Sequence, residues 1–128
     1  MYLLLLTFIT FLASAYSTKH DIILSQDQVI NMIFDTFDAD HDNYLDQSEC
    51  YQLQYATNPS LPLHWRHYQA ICKMTGAIYA LGLNRAQFSM TYVELSHILG
   101  SNLHHDLNIL YKHHYITDYQ IYNYHRMQ

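Results

Sequence analysis

The chain has few of the residues that break helices. It contains three glycines and two prolines among 128 residues. Folds built from many short strands need turn residues at close intervals, and glycine and proline supply most of them. Their scarcity argues against a β-sandwich or a barrel, and it predicts an all-α protein.

The chain is also short of positive charge. Six lysines and arginines face eleven aspartates and glutamates, for a formal net charge of −5. Residues 1–49 hold eight acidic side chains and one basic one, whereas residues 50–128 hold three acidic and five basic ones. Five scattered bases do not form the clustered basic surface of a nucleic-acid-binding protein. We therefore expect no nucleic-acid partner.

Motifs of common enzyme classes are absent from the sequence. It has no glycine-rich phosphate loop, no G-x-S-x-G and no H-E-x-x-H. These motifs mark sites for phosphate, a serine nucleophile and catalytic zinc. We expect no catalytic residue, and the chain is not predicted to be an enzyme.

The longest apolar run lies at the start of the chain. Residues 1–15, MYLLLLTFITFLASA, carry no charged side chain, and small residues at Ala13 and Ala15 fit cleavage before Tyr16. A membrane span needs about 20 apolar residues. We predict a signal peptide followed by one secreted domain over residues 16–128, with no membrane span after cleavage. An uncleaved anchor and a buried helix are the alternatives.

Two cysteines, Cys50 and Cys72, are present. In a secreted chain an even number of cysteines suggests a disulfide. We therefore expect a Cys50–Cys72 bond, which would stabilise the fold by closing a loop of about twenty residues. The alternative is a pair of buried free thiols that pack as small hydrophobic residues.

Residues 38–49, DADHDNYLDQSE, form the most informative segment. Carboxylates so closely spaced repel one another in a compact fold unless a cation lies among them. A hard cation such as Ca²⁺ takes about six to eight oxygen ligands. The carboxylates fall at positions one, three, five, nine and twelve: Asp38, Asp40, Asp42, Asp46 and Glu49. The alternative is a solvated acidic turn between two helices.

This segment resembles the calcium-binding loop of the EF-hand family, D-x-[DN]-x-[DN]-G-x₅-E, at every position but one. The resemblance implies that Tyr44 supplies a backbone carbonyl, that Asp46 binds directly or through water, and that Glu49 binds with both oxygens. It also implies that Leu45, at position eight, pairs with a second loop through a short β-bridge. The exception is Asn43 at position six, where the family has glycine. That position requires positive φ, which asparagine tolerates at a cost of about 1 kcal/mol.

The flanking sequence predicts a helix on each side of the loop, so that a first hand spans residues 25–57. Ser25 and Gln28 have the spacing of a capping box. Cys50 and Leu53 begin a weaker apolar stripe after the loop. The stripe before the loop has helical spacing and contains Ile30, Ile33, Phe34 and Phe37.

A second, degenerate hand is predicted over residues 63–99, with a helix from Leu63 to Ala80. Phe88 is placed at position eight of its loop, and a register different by one or two residues is left open. Ser89 is predicted to cap the next helix, which Gly100 would end. The loop positions hold no cation ligands, so this hand is expected to pair with the first and to bind no ion.

Residues 101–128 are predicted to form a helical extension of two helices. Thr117 is the expected cap of the second helix, which bears Ile121. The first helix carries an apolar face of Leu103, Leu107, Leu110 and Tyr111.

The sequence therefore predicts a secreted calcium-binding protein with one competent site and a structural or constitutive role. One alternative is a calcium-dependent interaction module with an unidentified extracellular protein partner. Another is a secreted protein that binds a transition metal through some of its ten histidines, such as His64 and His67 at helical spacing.

Overall fold

The computed structural model describes residues 15–17 and 23–127. The predicted signal peptide lies outside these residues except for Ala15. Two short antiparallel strands, β1 (Ala15–Ser17) and β2 (Ile23–Ser25), pair at the start. Helices make up most of the described residues, which confirms the all-α prediction. They are α1 (Gln26–Phe37), α2 (Gln47–Thr57), α3 (Trp65–Thr75), α4 (Arg85–Tyr92), α5 (Ser96–Leu99), α6 (Leu103–Lys112) and α7 (Asp118–Arg126).

Helix α1 lies at the centre of the fold and contacts α2, α4, α6 and α7. Its predicted capping box is confirmed: the Gln28 amide donates to Ser25 Oγ at 3.1 Å, and the Ser25 amide donates to Gln28 Oε1 at 2.8 Å. The predicted apolar face is also confirmed. It is buried against the surrounding helices through Ile30, Ile33, Phe34 and Phe37.

Helix α2 buries a weaker stripe, as its sequence predicts. Leu53 is buried, and Thr57 lies on the buried side as well. The Thr57 hydroxyl donates to the Leu53 carbonyl at 2.9 Å, so this polar side chain is satisfied within its own helix.

Helices α3 and α4 correct three predicted boundaries. The helix predicted to reach Ala80 ends at Thr75, because Gly76 adopts a left-handed conformation with φ of 79°. The predicted cap Ser89 lies inside α4, and Asn84 caps that helix instead. The helix predicted to continue to Leu99 is divided into α4 and α5. Gly100 ends α5 with φ of 69°, as predicted.

The last two helices agree with the predicted extension. Leu103, Leu107 and Leu110 of α6 are buried. Thr117 caps α7, as predicted, and it forms a capping box with Gln120. Ile121 is the buried residue of α7, so this helix contributes little apolar surface to the core.

The loop between α1 and α2 and the loop between α3 and α4 meet through an antiparallel β-bridge between Leu45 and Leu83. Each residue donates its amide to the carbonyl of the other, at 2.8 and 2.9 Å. The prediction that Leu45 forms such a bridge is confirmed, but Phe88 as its counterpart was wrong by five residues. Phe88 is buried in α4 instead, and its ring centroid lies 5.7 Å from that of Phe34.

Gly82 allows this close approach of the two loops. Its φ is 97°, and a Cβ atom there would lie 2.1 Å from the Leu45 carbonyl oxygen. Any side chain at this position would push the two backbones apart, so the bridge depends on this glycine.

Within the part of the chain that the structure describes, no helix has the length and apolar character needed to cross a membrane.

Candidate metal site

Four of the predicted ligands converge in the loop between α1 and α2. Each contributes a carboxylate oxygen, and these oxygens all lie within 4.8 Å of one another. Such a group presents several oxygen donors to one point, as a hard cation requires. The four residues, here called the carboxylate cluster, are Asp38, Asp40, Asp42 and Glu49.

The carboxylate cluster has a buried side and an exposed side. Asp38 is 3% exposed and Glu49 is 7% exposed, whereas Asp40 and Asp42 face solvent. Acidic side chains are almost never buried so far without a partner. The buried pair therefore forms the floor of the site, and the exposed pair leaves a route for an ion from solvent.

The backbone of the loop folds around these carboxylates. Asp38 Oδ1 accepts from the Asp42 amide at 3.2 Å, and Asp38 Oδ2 accepts from the Asn43 amide at 3.0 Å. Asp42 Oδ1 accepts from the Tyr44 amide at 3.0 Å. Asn43 has φ of 66°, which confirms the positive φ expected at position six. His41 also has a positive φ, 57°, which the sequence did not indicate.

Glu49 joins the two ends of the loop. Its Oε2 accepts from the Ala39 amide at 2.7 Å, and its Oε1 accepts from the Asp46 amide at 3.1 Å. Burial raises the pKa of the Glu49 carboxyl, although hydrogen bonds from the amides of Asp46, Ala39 and Asp40 act to lower it. A negative charge on Glu49 is therefore unfavourable, and a bound cation would offset that cost.

Two predicted ligands lie outside the cluster. Asp46 is the N-cap of α2, and its Oδ1 accepts from the Glu49 amide at 2.9 Å. Asp46 therefore caps α2, and its role as a direct or water-mediated ligand stays a prediction. Tyr44 is half-buried in the loop directly before the bridge residue Leu45.

The second loop repeats this local structure with two neutral capping side chains. Asn84 and Gln87 follow Leu83 at the same offsets at which Asp46 and Glu49 follow Leu45. The Gln87 amide donates to Asn84 Oδ1 at 2.8 Å, and the Asn84 amide donates to Gln87 Oε1 at 2.9 Å. This parallel N-x-x-Q pattern was the signal that would have placed the second loop in its observed register.

The other metal-binding hypothesis finds less support in the geometry. The rings of His64 and His67 lie 5.6 Å apart between centroids. Among residues 15–17 and 23–127, however, the carboxylate cluster is the one group of three or more histidine, cysteine, aspartate or glutamate residues placed to hold an ion.

The predicted Cys50–Cys72 disulfide is not formed. Both residues are free thiols, and Cys72 is fully buried. Burial raises the pKa of the Cys50 thiol, and nearby Cys72 adds to the rise. The pair therefore follows the alternative of two free thiols that pack as small hydrophobic residues, with Cys72 buried and Cys50 half-buried.

The side chains of the carboxylate cluster offer only oxygen donors. Carboxylate oxygens are typical ligands of hard cations, whereas structural zinc sites rely on cysteine and histidine. Comparison with known proteins gave no match to any family model, curated protein or solved structure.

Proposed function

We propose that the protein binds one calcium ion in the loop of residues 38–49 and that the ion has a constitutive, structural role. The observation that carries this proposal is the convergence of the carboxylate cluster within 4.8 Å. Two unit charges about 4 Å apart repel by about 4 kcal/mol near a protein surface. A cation at the centre would convert this repulsion into attraction.

Six residues of the loop would supply the oxygen ligands of the ion. Asp38, Asp40 and Asp42 would each supply one oxygen, and Glu49 would close the shell with both. The Tyr44 carbonyl and a water held by Asp46 would bring the number of oxygens to about seven, which calcium accepts more readily than magnesium.

The same proposal includes the pairing of two EF-hand units. The first unit is α1, its loop and α2, and the second is α3, its loop and α4. The Leu45–Leu83 bridge and the two parallel capping boxes support this arrangement. The neutral side chains of Asn84 and Gln87 support a second unit that binds no ion. We further propose that the domain is secreted, on the strength of the apolar leader.

The first prediction is the stoichiometry, and calorimetry of the purified domain with calcium tests it. We expect one site per chain, because ligand charges are present in one loop and absent from the other. Parallel titrations with magnesium and zinc should give weaker heats. Two or more tight calcium sites would contradict the assignment of the second loop, and preference for zinc would favour the histidine hypothesis.

A second candidate function, the calcium-dependent interaction module, is favoured by one observation. An open, largely apolar groove of about 880 Å³ lies beside α2, and Leu53, Ile71, Phe88 and Ile98 contribute to its lining. An apolar fluorescent dye would separate the two functions. The constitutive role predicts similar dye binding with and without calcium, whereas the interaction module predicts binding that depends on calcium.

A further inference from the structure

The side chain of Arg85, the first residue of α4, contacts residues outside the second loop. Its guanidinium forms an ion pair with Asp35 of α1 and donates to Asn31 Oδ1 at 3.2 Å. It also donates to Asn43 Oδ1 at 3.3 Å and lies 4.5 Å from the centroid of the Phe34 ring. One planar guanidinium therefore links α4, α1 and the first loop, which a lysine could not do with the same geometry.

Asn43 connects this guanidinium to the carboxylate cluster. Its side chain accepts from Arg85, and its amide donates to Asp38 Oδ2 at 3.0 Å. Because Asn43 has a positive φ, its conformation is less favourable than that of a glycine. The contact from Arg85 supports the strained residue that in turn orients Asp38.

Asp35 connects the same guanidinium to the last helix. One of its carboxylate oxygens pairs with Arg85, and the other accepts the hydroxyl hydrogen bond of Tyr124 on α7. The ion pair also neutralises the positive charge of Arg85, which would otherwise oppose the binding of a cation in the first loop. The position of α7 therefore bears on how Arg85 is held.

Helix α7 is a suitable element for such coupling because its apolar docking is weak. Ile121 is its one buried residue. Two of its remaining contacts with α1 are hydrogen bonds from Gln28 Nε2 to the Tyr124 carbonyl, at 2.8 Å, and from Gln120 Nε2 to Thr36 Oγ1, at 3.2 Å. Elements with little buried apolar surface open at low free-energy cost.

We propose that the contacts from Tyr124 through Asp35 and Arg85 to Asn43 couple the docking of α7 to the cation affinity of the first loop. Arg85 and Asp35 are positioning residues in this scheme, and neither contacts the ion. The inference rests on the calcium binding proposed above. Because coupling between two sites is reciprocal, calcium must stabilise the docked α7 by the same factor by which docking raises calcium affinity.

The test is calcium calorimetry of the full chain and matched variants. Tyr124→Phe removes one hydroxyl outside the loop and changes no charge, and we expect it to weaken calcium binding roughly threefold, within the range of one hydrogen bond. Tyr119→Phe, on the same helix at a side chain 74% exposed, should bind like the wild type. Arg85→Lys keeps the charge and should weaken binding at least as much as Tyr124→Phe.

Two further measurements separate coupling from a loss of general stability. The double variant Tyr124→Phe/Arg85→Lys should bind no more weakly than Arg85→Lys alone, because both changes interrupt one path. Calcium should slow hydrogen exchange of the α7 amides in the wild type and should slow it less in Tyr124→Phe.

Equal affinities for Tyr124→Phe and Tyr119→Phe would overturn the coupling while leaving calcium binding intact. Additive losses in the double variant would overturn it as well, since the two residues would then act independently. A wild-type chain that gives no calcium heat would overturn both the coupling and the proposed function.

Discussion

Single residues in the first loop were predictable because their roles depend on neighbours close in sequence. Asp38, Asp40 and Asp42 lie in the first loop, and Glu49 lies in the first turn of α2. This spacing brings their carboxylate oxygens together. Asn43 adopts the positive φ that its place in the pattern requires. The role of Arg85 was not predictable, because its partners Asp35 and Asn43 lie about 40 to 50 residues away.

Glu49 is the residue on which calcium affinity should depend most. Glu49→Gln keeps the size of the side chain but removes the charge from a ligand that would bind with both oxygens. We expect a loss of affinity of roughly tenfold or more, since even residues that only support a ligand cost about 10–100-fold. Calorimetry measures this loss. Glu94→Gln, at an exposed residue of the same type, is the control and should change nothing.

The two cysteines give a prediction about covalent state. Cys72 is fully buried, and burial raises the pKa of Cys50, so alkylation of the native protein should be slow. Unfolding the protein without reductant should expose two thiols that react at once, as intact-mass analysis would record. Two unreactive sulfurs after such unfolding would mean that the purified protein carries the disulfide that the sequence first suggested.

At the scale of elements, helices were predicted better than their boundaries. The capping box at Ser25 and the cap at Thr117 follow from local patterns, and both formed as expected. The start of α4 was misplaced because Asn84 and Ser89 are both good caps, and local preference does not decide between them. The β-bridge selects the cap of α4. Leu83 is paired with Leu45, so Asn84 is the first residue after the bridge and can cap the helix.

Gly82 should be the most sensitive position of the second loop. In Gly82→Ala the new Cβ would meet the Leu45 backbone at 2.1 Å, so the bridge must open or shift. We expect a loss of more than about 3 kcal/mol in the free energy of unfolding, measured by urea denaturation.

Gly76→Ala is the matched control for this change. Gly76 also has a positive φ, but a Cβ there meets nothing within 4 Å. The free energy of unfolding of this variant should therefore fall by only about 1–2 kcal/mol, which is the cost of a residue with a side chain in this conformation. Equal losses for the two variants would mean that the close approach of the loops contributes nothing to stability.

At the scale of the whole molecule, the first loop lies where several elements meet. It connects α1 to α2, pairs with the second loop through Leu45 and contacts α4 through Asn43. An ion in this loop would therefore stabilise the neighbouring elements as well as the twelve residues of the loop. Repulsion within an unliganded carboxylate cluster would act on the end of α1 near Phe37 and on the start of α2 near Gln47.

The last prediction is that calcium acts as a structural staple more than as a switch. Extracellular sites of this kind have dissociation constants of about 10⁻⁴ to 10⁻³ M, and the strain at Asn43 favours the weak end. At ten times the dissociation constant, calcium adds RT ln 11, about 1.4 kcal/mol. For a domain of this size that corresponds to a rise in Tm of about 6 °C.

Circular dichroism melting across calcium concentrations measures this effect. Chelation should lower Tm and remove some helical signal, because the ends of α1 and α2 fray when the carboxylates repel one another. Magnesium should restore little of either, since it demands a tighter octahedral shell. A dissociation constant below about 10⁻⁶ M together with calcium-dependent exposure of apolar surface would instead identify a sensor. In that case the groove beside α2 would become the surface that the ion controls.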